Sequence, residues 1–114
     1  DDAAMRRGDA IYRDNCSACH GGDGRGTRGL FPALAGNRIV VQSDVTTLAR
    51  LVILGSQGVH TAAAPTTPSM PSLGWRLDDA AIAAVLTYVR NSWGNTGAPV
   101  SARTIAGARA TAAE

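Results

Sequence analysis

Lysine is missing from this sequence: all eleven basic residues among its 114 are arginines, a bias of base composition more than of chemistry. Aromatic residues are scarce, namely Tyr12, Phe31, Trp75, Tyr88 and Trp93. Cysteine is limited to Cys16 and Cys19, and histidine to His20 and His60. No apolar run approaches the ~18 residues of a membrane-spanning helix. No segment alternates with the period of a half-buried strand, and no internal repeat is visible. Each gap excludes something. Without strands the chain reads as all-α. With a net charge of only +2 and no basic block interleaved with aromatics, nucleic-acid binding is excluded as a reading. The opening DDAAMRRGDA reads as a mature N-terminus or a cut between domains, so the lack of a leader says nothing about compartment. The chain has the length of one domain. Its 45% hydrophobic content is largely Ala, with Val and Leu. Such a core is thin for a loop-rich domain, so a bulky group from outside the polypeptide is expected.

What is present falls into three helices and long loops. Residues 4 to 15 place Ala4, Met5, Gly8, Ile11 and Tyr12 on one face, with Arg6, Arg7 and Arg13 largely off it. A glycine on that face costs about 1 kcal/mol against alanine, so Gly8 points to close approach of another helix. GGDGRGTRG, residues 21 to 29, is a loop, and the chain stays irregular to Asn37. A second helix is expected over about 44 to 54, capped by Ser43 or Asp44 and stopped by Gly55, with Val45, Leu48, Leu51, Val52 and Leu54 apolar. The Gly- and Pro-punctuated stretch 55 to 76 is too long for a plain connection and reads as functional or a linker. The third helix, about 79 to 92, has Asp78 as N-cap, Ile82, Val85, Leu86, Val89 and Trp93 in helical register, and Gly94 as its stop. Residues 1–97 are expected to form the domain, and 98–114 a tail with at most a weak short helix.

The chemistry concentrates in CSACH, residues 16 to 20. A structural zinc site needs four ligands, and the chain offers just Cys16, Cys19, His20 and His60, two of them adjacent. A redox dithiol expects a strand–helix setting that the chain lacks. A disulfide over so short a loop stabilises little and leaves His20 without a role. The remaining reading is attachment of a c-type haem. Two cysteines at this spacing, at the end of a helix, reach two vinyl groups along one porphyrin edge, and the next residue, His20, falls beneath the iron. The haem also supplies the missing apolar bulk.

With Gly8 and Tyr12 on the first helix, VLTYV with Tyr88 on the last, FPALAG after the attachment motif and PSMP in the long loop, the sequence resembles class I cytochromes c over roughly residues 5 to 93. The resemblance implies a helical fold wrapped around one covalent haem, in which the first and last helices cross at Gly8. It implies that the Pro32 carbonyl accepts the free N–H of His20, and that Met70 is the distal iron ligand. CHGGDGRGTRGLFPALAGN, PSMPSLGWRL and VLTYVRNSWGN are similar to the C-terminal haem domain of multihaem cytochrome subunits of periplasmic alcohol and gluconate dehydrogenases. Such subunits take electrons from a dehydrogenase and pass them to a quinone, an oxidase or another cytochrome, at the periplasmic face of the inner membrane. Membrane attachment would lie in parts outside this chain. A lysine-ringed docking edge does not carry over to a chain without lysine.

Met5 and His60 compete with Met70 for the distal position. Met5 lies on a helix face and His60 in a polar loop, whereas Met70 stands in a rigid setting between Pro68 and Pro71. His/Met ligation fills both axial positions and raises the potential, which suits electron transfer and leaves substrate no place to bind. An open iron would suit an enzyme or sensor, and a freely diffusing shuttle is the third alternative. Arg38 and Trp75 are candidates for contact with a haem propionate, or else a surface arginine and a packed tryptophan. Arg25 and Arg28 either flank the haem edge, steering an acidic partner, or form a solvated loop.

Overall fold

The computed structural model describes residues 2–56 and 69–112. Six helical segments occur among them: α1 (Asp2–Asn15), α2 (Ser17–His20), α3 (Arg38–Val41), α4 (Thr46–Leu54), α5 (Asp79–Val89) and α6 (Ala102–Ala112). The described residues contain no strand, only the isolated bridges Thr27–Phe31 and Ser56–Met70. The three expected helices are α1, α4 and α5, and the all-α class holds.

Their ends follow local chemistry. Asp78 caps α5 by accepting the Ala81 N–H at 2.8 Å. The expected helix over 79 to 92 stops at Val89 because side chains there compete for backbone acceptors. Asn91 Nδ2 donates to the Thr87 carbonyl and the Ser92 hydroxyl to that of Tyr88, and Trp93 then turns into the left-handed region at φ 54°. At α4 the Asp44 carboxylate accepts the Thr46 N–H at 2.9 Å. This Asx-turn delays the helix to Thr46 and holds the Asp44 carboxyl below the usual carboxylate range.

α1 packs chiefly on α5, and α6 on α5 and α4. At the first crossing a Cβ on Gly8 would collide with the Ala84 carbonyl oxygen and with Cβ of Tyr88. This is the close approach that glycine permits. The core joins Tyr12, Val40, Leu48, Val52, Leu73, Ile82, Leu86 and Ile105.

Residues 98 onward form more than a tail with a weak short helix: α6 runs over eleven residues, Ala102–Ala112. Val100, Ile105 and Ala108 are buried in the same core, Ile105 completely. Arg109 ties α6 to the rest of the molecule through an ion pair with Asp79 at 2.8 Å. At the end of α5, Arg90 is only 2% exposed. It donates to three carbonyls: Ala98 at 3.1 Å, Val40 at 3.0 Å and Gln42 at 2.7 Å. Among the described residues no carboxylate pairs with it. Among the described residues, its charge is compensated by these carbonyl dipoles.

Candidate haem site

α1 delivers the chain to the attachment motif almost without interruption. Cys16 N–H donates to the Tyr12 carbonyl at 2.8 Å and His20 N–H to that of Cys16 at 3.0 Å. The short α2 therefore presents Cys16, Cys19 and His20 from one helical turn. Both cysteines are free thiols, Cys19 exposed and Cys16 partly buried. Burial, and then the neighbouring Cys19, push the Cys16 thiol up to about 11.

Two aromatic side chains hold the loop after His20, and a third packs on both. The Tyr12 hydroxyl donates to the Gly21 carbonyl at 2.6 Å and Trp93 Nε1 to that of Gly22 at 3.1 Å. Tyr12, Tyr88 and Trp93 pack together, with ring centroids 5.1–5.8 Å apart. The Trp93 ring covers Gly24 so closely that no side chain fits there. Burial, ahead of the charges around it, raises the Tyr12 phenol well above its ordinary value, so it remains a donor to Gly21. The loop next doubles back. Gly26, at φ +64°, packs its Cα against the Phe31 and Pro32 carbonyls where a Cβ would stand 2.6 Å from the Pro32 oxygen.

This turn puts the Pro32 carbonyl 3.0 Å from His20 Nδ1. A carbonyl only accepts, so Nδ1 carries the proton and Nε2 keeps its lone pair for a metal. The geometry fits a haem: a histidine with its free nitrogen defined by a backbone acceptor, and two unpaired thiols in the preceding turn. Four large apolar side chains, Leu30, Ile39, Leu54 and Trp75, also remain exposed among the described residues. A bare metal ion finds less support, since no three His, Cys, Asp or Glu side chains converge among the described residues.

Met70 is far from α2 in sequence and is anchored to the end of α4. Its N–H donates to Ser56 at 2.7 Å and its carbonyl accepts from Ser56 at 3.0 Å. Ser72 Oγ and the Gly74 N–H both donate to Ile53, and the Leu73 N–H donates to Val52. Met70 is half-buried against the core. Its rival Met5 lies half-buried on α1. His60 lies outside the described residues. Arg38 opens α3 and is exposed; Trp75 is 80% exposed. Arg25 and Arg28 border an open hollow of about 390 Å³ with Leu30, Phe31 and Pro32. Sequence alone singles out neither Arg90 nor Arg109. Arg90 follows an apolar helix, where an arginine reads as an ordinary C-terminal charge.

The family model for cytochrome c matches residues 5–93. This chain belongs to the cytochrome c family. Membership implies covalently bound haem c and one-electron transfer. The chain is 39% identical to the cytochrome c subunit of a quinone alcohol dehydrogenase from Gluconobacter oxydans, over 82% of this chain and 23% of that protein. It is 38% identical to a gluconate 2-dehydrogenase cytochrome c subunit from Pantoea cypripedii, over 90% of this chain and 24% of that protein. It is also 34% identical to a cbb3-type cytochrome c oxidase subunit from Azospirillum brasilense, over 82% of this chain and 30% of that protein. The chain thus spans about a quarter of the length of the two dehydrogenase subunits. Among the described residues no helix is long and apolar enough to cross a membrane.

Proposed function

We propose that this cytochrome c carries single electrons as the haem domain of a periplasmic dehydrogenase's cytochrome subunit, and that the chemistry on the substrate belongs to another subunit. One haem is held through thioethers from Cys16 and Cys19. His20 Nε2 is the proximal ligand, Pro32 fixes the ring, and Met70 is the distal ligand. Arg38 and Trp75, both exposed, are the residues offered to the propionates. The observation that carries the reading is the His20–Pro32 hydrogen bond at 3.0 Å, which leaves Nε2 as the free donor. The haem supplies a redox centre that cycles between ferric and ferrous. His20 and Met70 would be the two protein ligands of that iron, and Pro32 would fix the histidine ring, leaving little to rearrange on electron transfer.

The donor class follows from the alcohol, gluconate and fructose dehydrogenase subunits that this chain is similar to. The acceptor is a quinone, an oxidase or another cytochrome. The cbb3 oxidase subunit among the relatives favours the oxidase side for some members. Met70→Ala is expected to lower the reduction potential by on the order of 0.1 V or more and to admit cyanide or carbon monoxide to the iron. An unchanged potential refutes the ligand assignment. A freely diffusing shuttle is the second reading. A second Cys-x-x-Cys-His or a membrane-binding segment in the full-length gene would eliminate it.

A further inference from the structure

The loop that carries Met70 is held from two sides, and only one of them belongs to the part of the chain that matches the family. On the inner side, Ser56, Val52 and Ile53 of α4 and its end receive or donate hydrogen bonds to Met70, Ser72, Leu73 and Gly74. On the outer side stands Arg109 of α6, sixteen residues beyond the end of the family match at residue 93. Its guanidinium spreads all three nitrogens over one short stretch. Nη1 donates to the Gly74 carbonyl at 2.6 Å, Nη2 to that of Leu77 at 3.0 Å, and Nε to Asp79 at 2.8 Å. Gly74 has no side chain to spare: a Cβ there would stand 2.8 Å from the Ile53 carbonyl and 3.2 Å from Arg109 itself. At Gly74 the chain is therefore held between Ile53 of α4 and Arg109, with α4 securing the residues before it and Arg109 those after.

We propose that Arg109 is a positioning residue for the distal ligand, and that α6 is a clamp which keeps the Met70 thioether seated. The proposal rests on the reading of Met70 as that ligand. The physical reason is cooperative. A thioether is a weak ligand, so its residence depends on how little its loop gains by opening. Hydrogen bonds from a charged donor are about twice as strong as neutral ones, and a planar fork loses little entropy in binding three acceptors at once. A lysine offers one compact charge and cannot reach the same three acceptors. The remaining anchors on α4 are neutral hydrogen bonds of ordinary length. Arg109 is thus the strongest single tie on a stretch that begins four residues after Met70.

The test compares four haem-loaded proteins: the parent, Arg109→Gln, Arg109→Lys, and Ile105→Val. The last loosens α6 in the core without touching the loop carbonyls. Two quantities are read. One is native-state hydrogen exchange at the Met70, Leu73 and Gly74 amides relative to amides of α1 and α5. The other is the denaturant midpoint at which the sulfur-to-iron charge-transfer band disappears, compared with that of global unfolding. Arg109→Gln is expected to speed exchange at the loop amides by about tenfold or more while α1 and α5 exchange keeps pace with global stability. It is also expected to bleach the band before the fold is lost, and Arg109→Lys is expected to restore little of either. Ile105→Val should shift loop and core together. The proposal is overturned if Arg109→Gln behaves as Ile105→Val does, with band and fold lost at one midpoint. A parent protein with no such band would sink the Met70 ligation instead, and the exchange arm would still decide whether Arg109 clamps the loop.

Discussion

Gly8 lies where α1 meets α5, and the Ala84 carbonyl oxygen occupies the place that a side chain would need. A valine there must push the helices apart or bend them. Overpacking of this kind costs about 1–3 kcal/mol, and Gly8→Val is expected to lose at least that much in denaturant unfolding of the haem-loaded protein. Equal midpoints for variant and parent would refute the crossing as the reason for glycine. Arg90 makes the opposite case. Its charge is buried, and among the described residues it is met by the carbonyls of Val40, Gln42 and Ala98. Arg90→Met removes the donors and keeps the bulk, leaving those acceptors short. About 2 kcal/mol or more of stability should be lost, seen as a lower midpoint with an unchanged slope. Gly8 is legible in the sequence because a glycine on an apolar helix face is an anomaly with one common cause. Arg90 is not, because its acceptors at positions 40 and 42 lie some fifty residues away and a terminal arginine is what any helix tolerates.

At the scale of elements, the helices with strong apolar periodicity are readable to within a few residues. α5 is foreshortened by Asn91 and Ser92, whose side chains bond back to Thr87 and Tyr88. α6 is stronger than its sequence suggests, for a physical reason. ARTIAGARATA is rich in small residues and has one large apolar side chain, so its helicity depends on where Ile105 goes. Ile105 is fully buried, and burial of one such side chain is worth roughly 1.5–3 kcal/mol. Ending the chain at Ser101 is therefore expected to lower stability by about that amount or more, with a clear fall in Tm. A truncated protein that melts with the parent would mean that residues 102–112 are an appendage. The aromatic cluster of Tyr12, Tyr88 and Trp93 joins α1, α5 and the loop after His20. Two of its members are expected from sequence as helix-crossing residues. The third, Trp93, reads as the last apolar position of a helix, yet its ring leaves the helix line and lies over Gly24.

For the molecule as a whole, the polypeptide builds one half of a redox centre and the haem supplies the other. The CSACH stretch is the most legible feature because its chemistry is local: two thiols and a histidine within five residues. The Pro32 contact spans twelve residues, and only the family resemblance reaches it, as it does the place of Met70. What the fold adds is the means of holding them, namely the glycine turn at Gly26, the aromatic cover and the Met70 loop pinned to α4. The central claim is that His20 and Met70 together fill the iron's axial positions, which makes this domain an electron carrier. The most direct test is the absorption spectrum of the ferric haem-loaded protein at neutral pH. The expected result is a low-spin spectrum with a sulfur-to-iron charge-transfer band that is abolished by Met70→Ala. High-spin features without that band in the parent protein would contradict the claim.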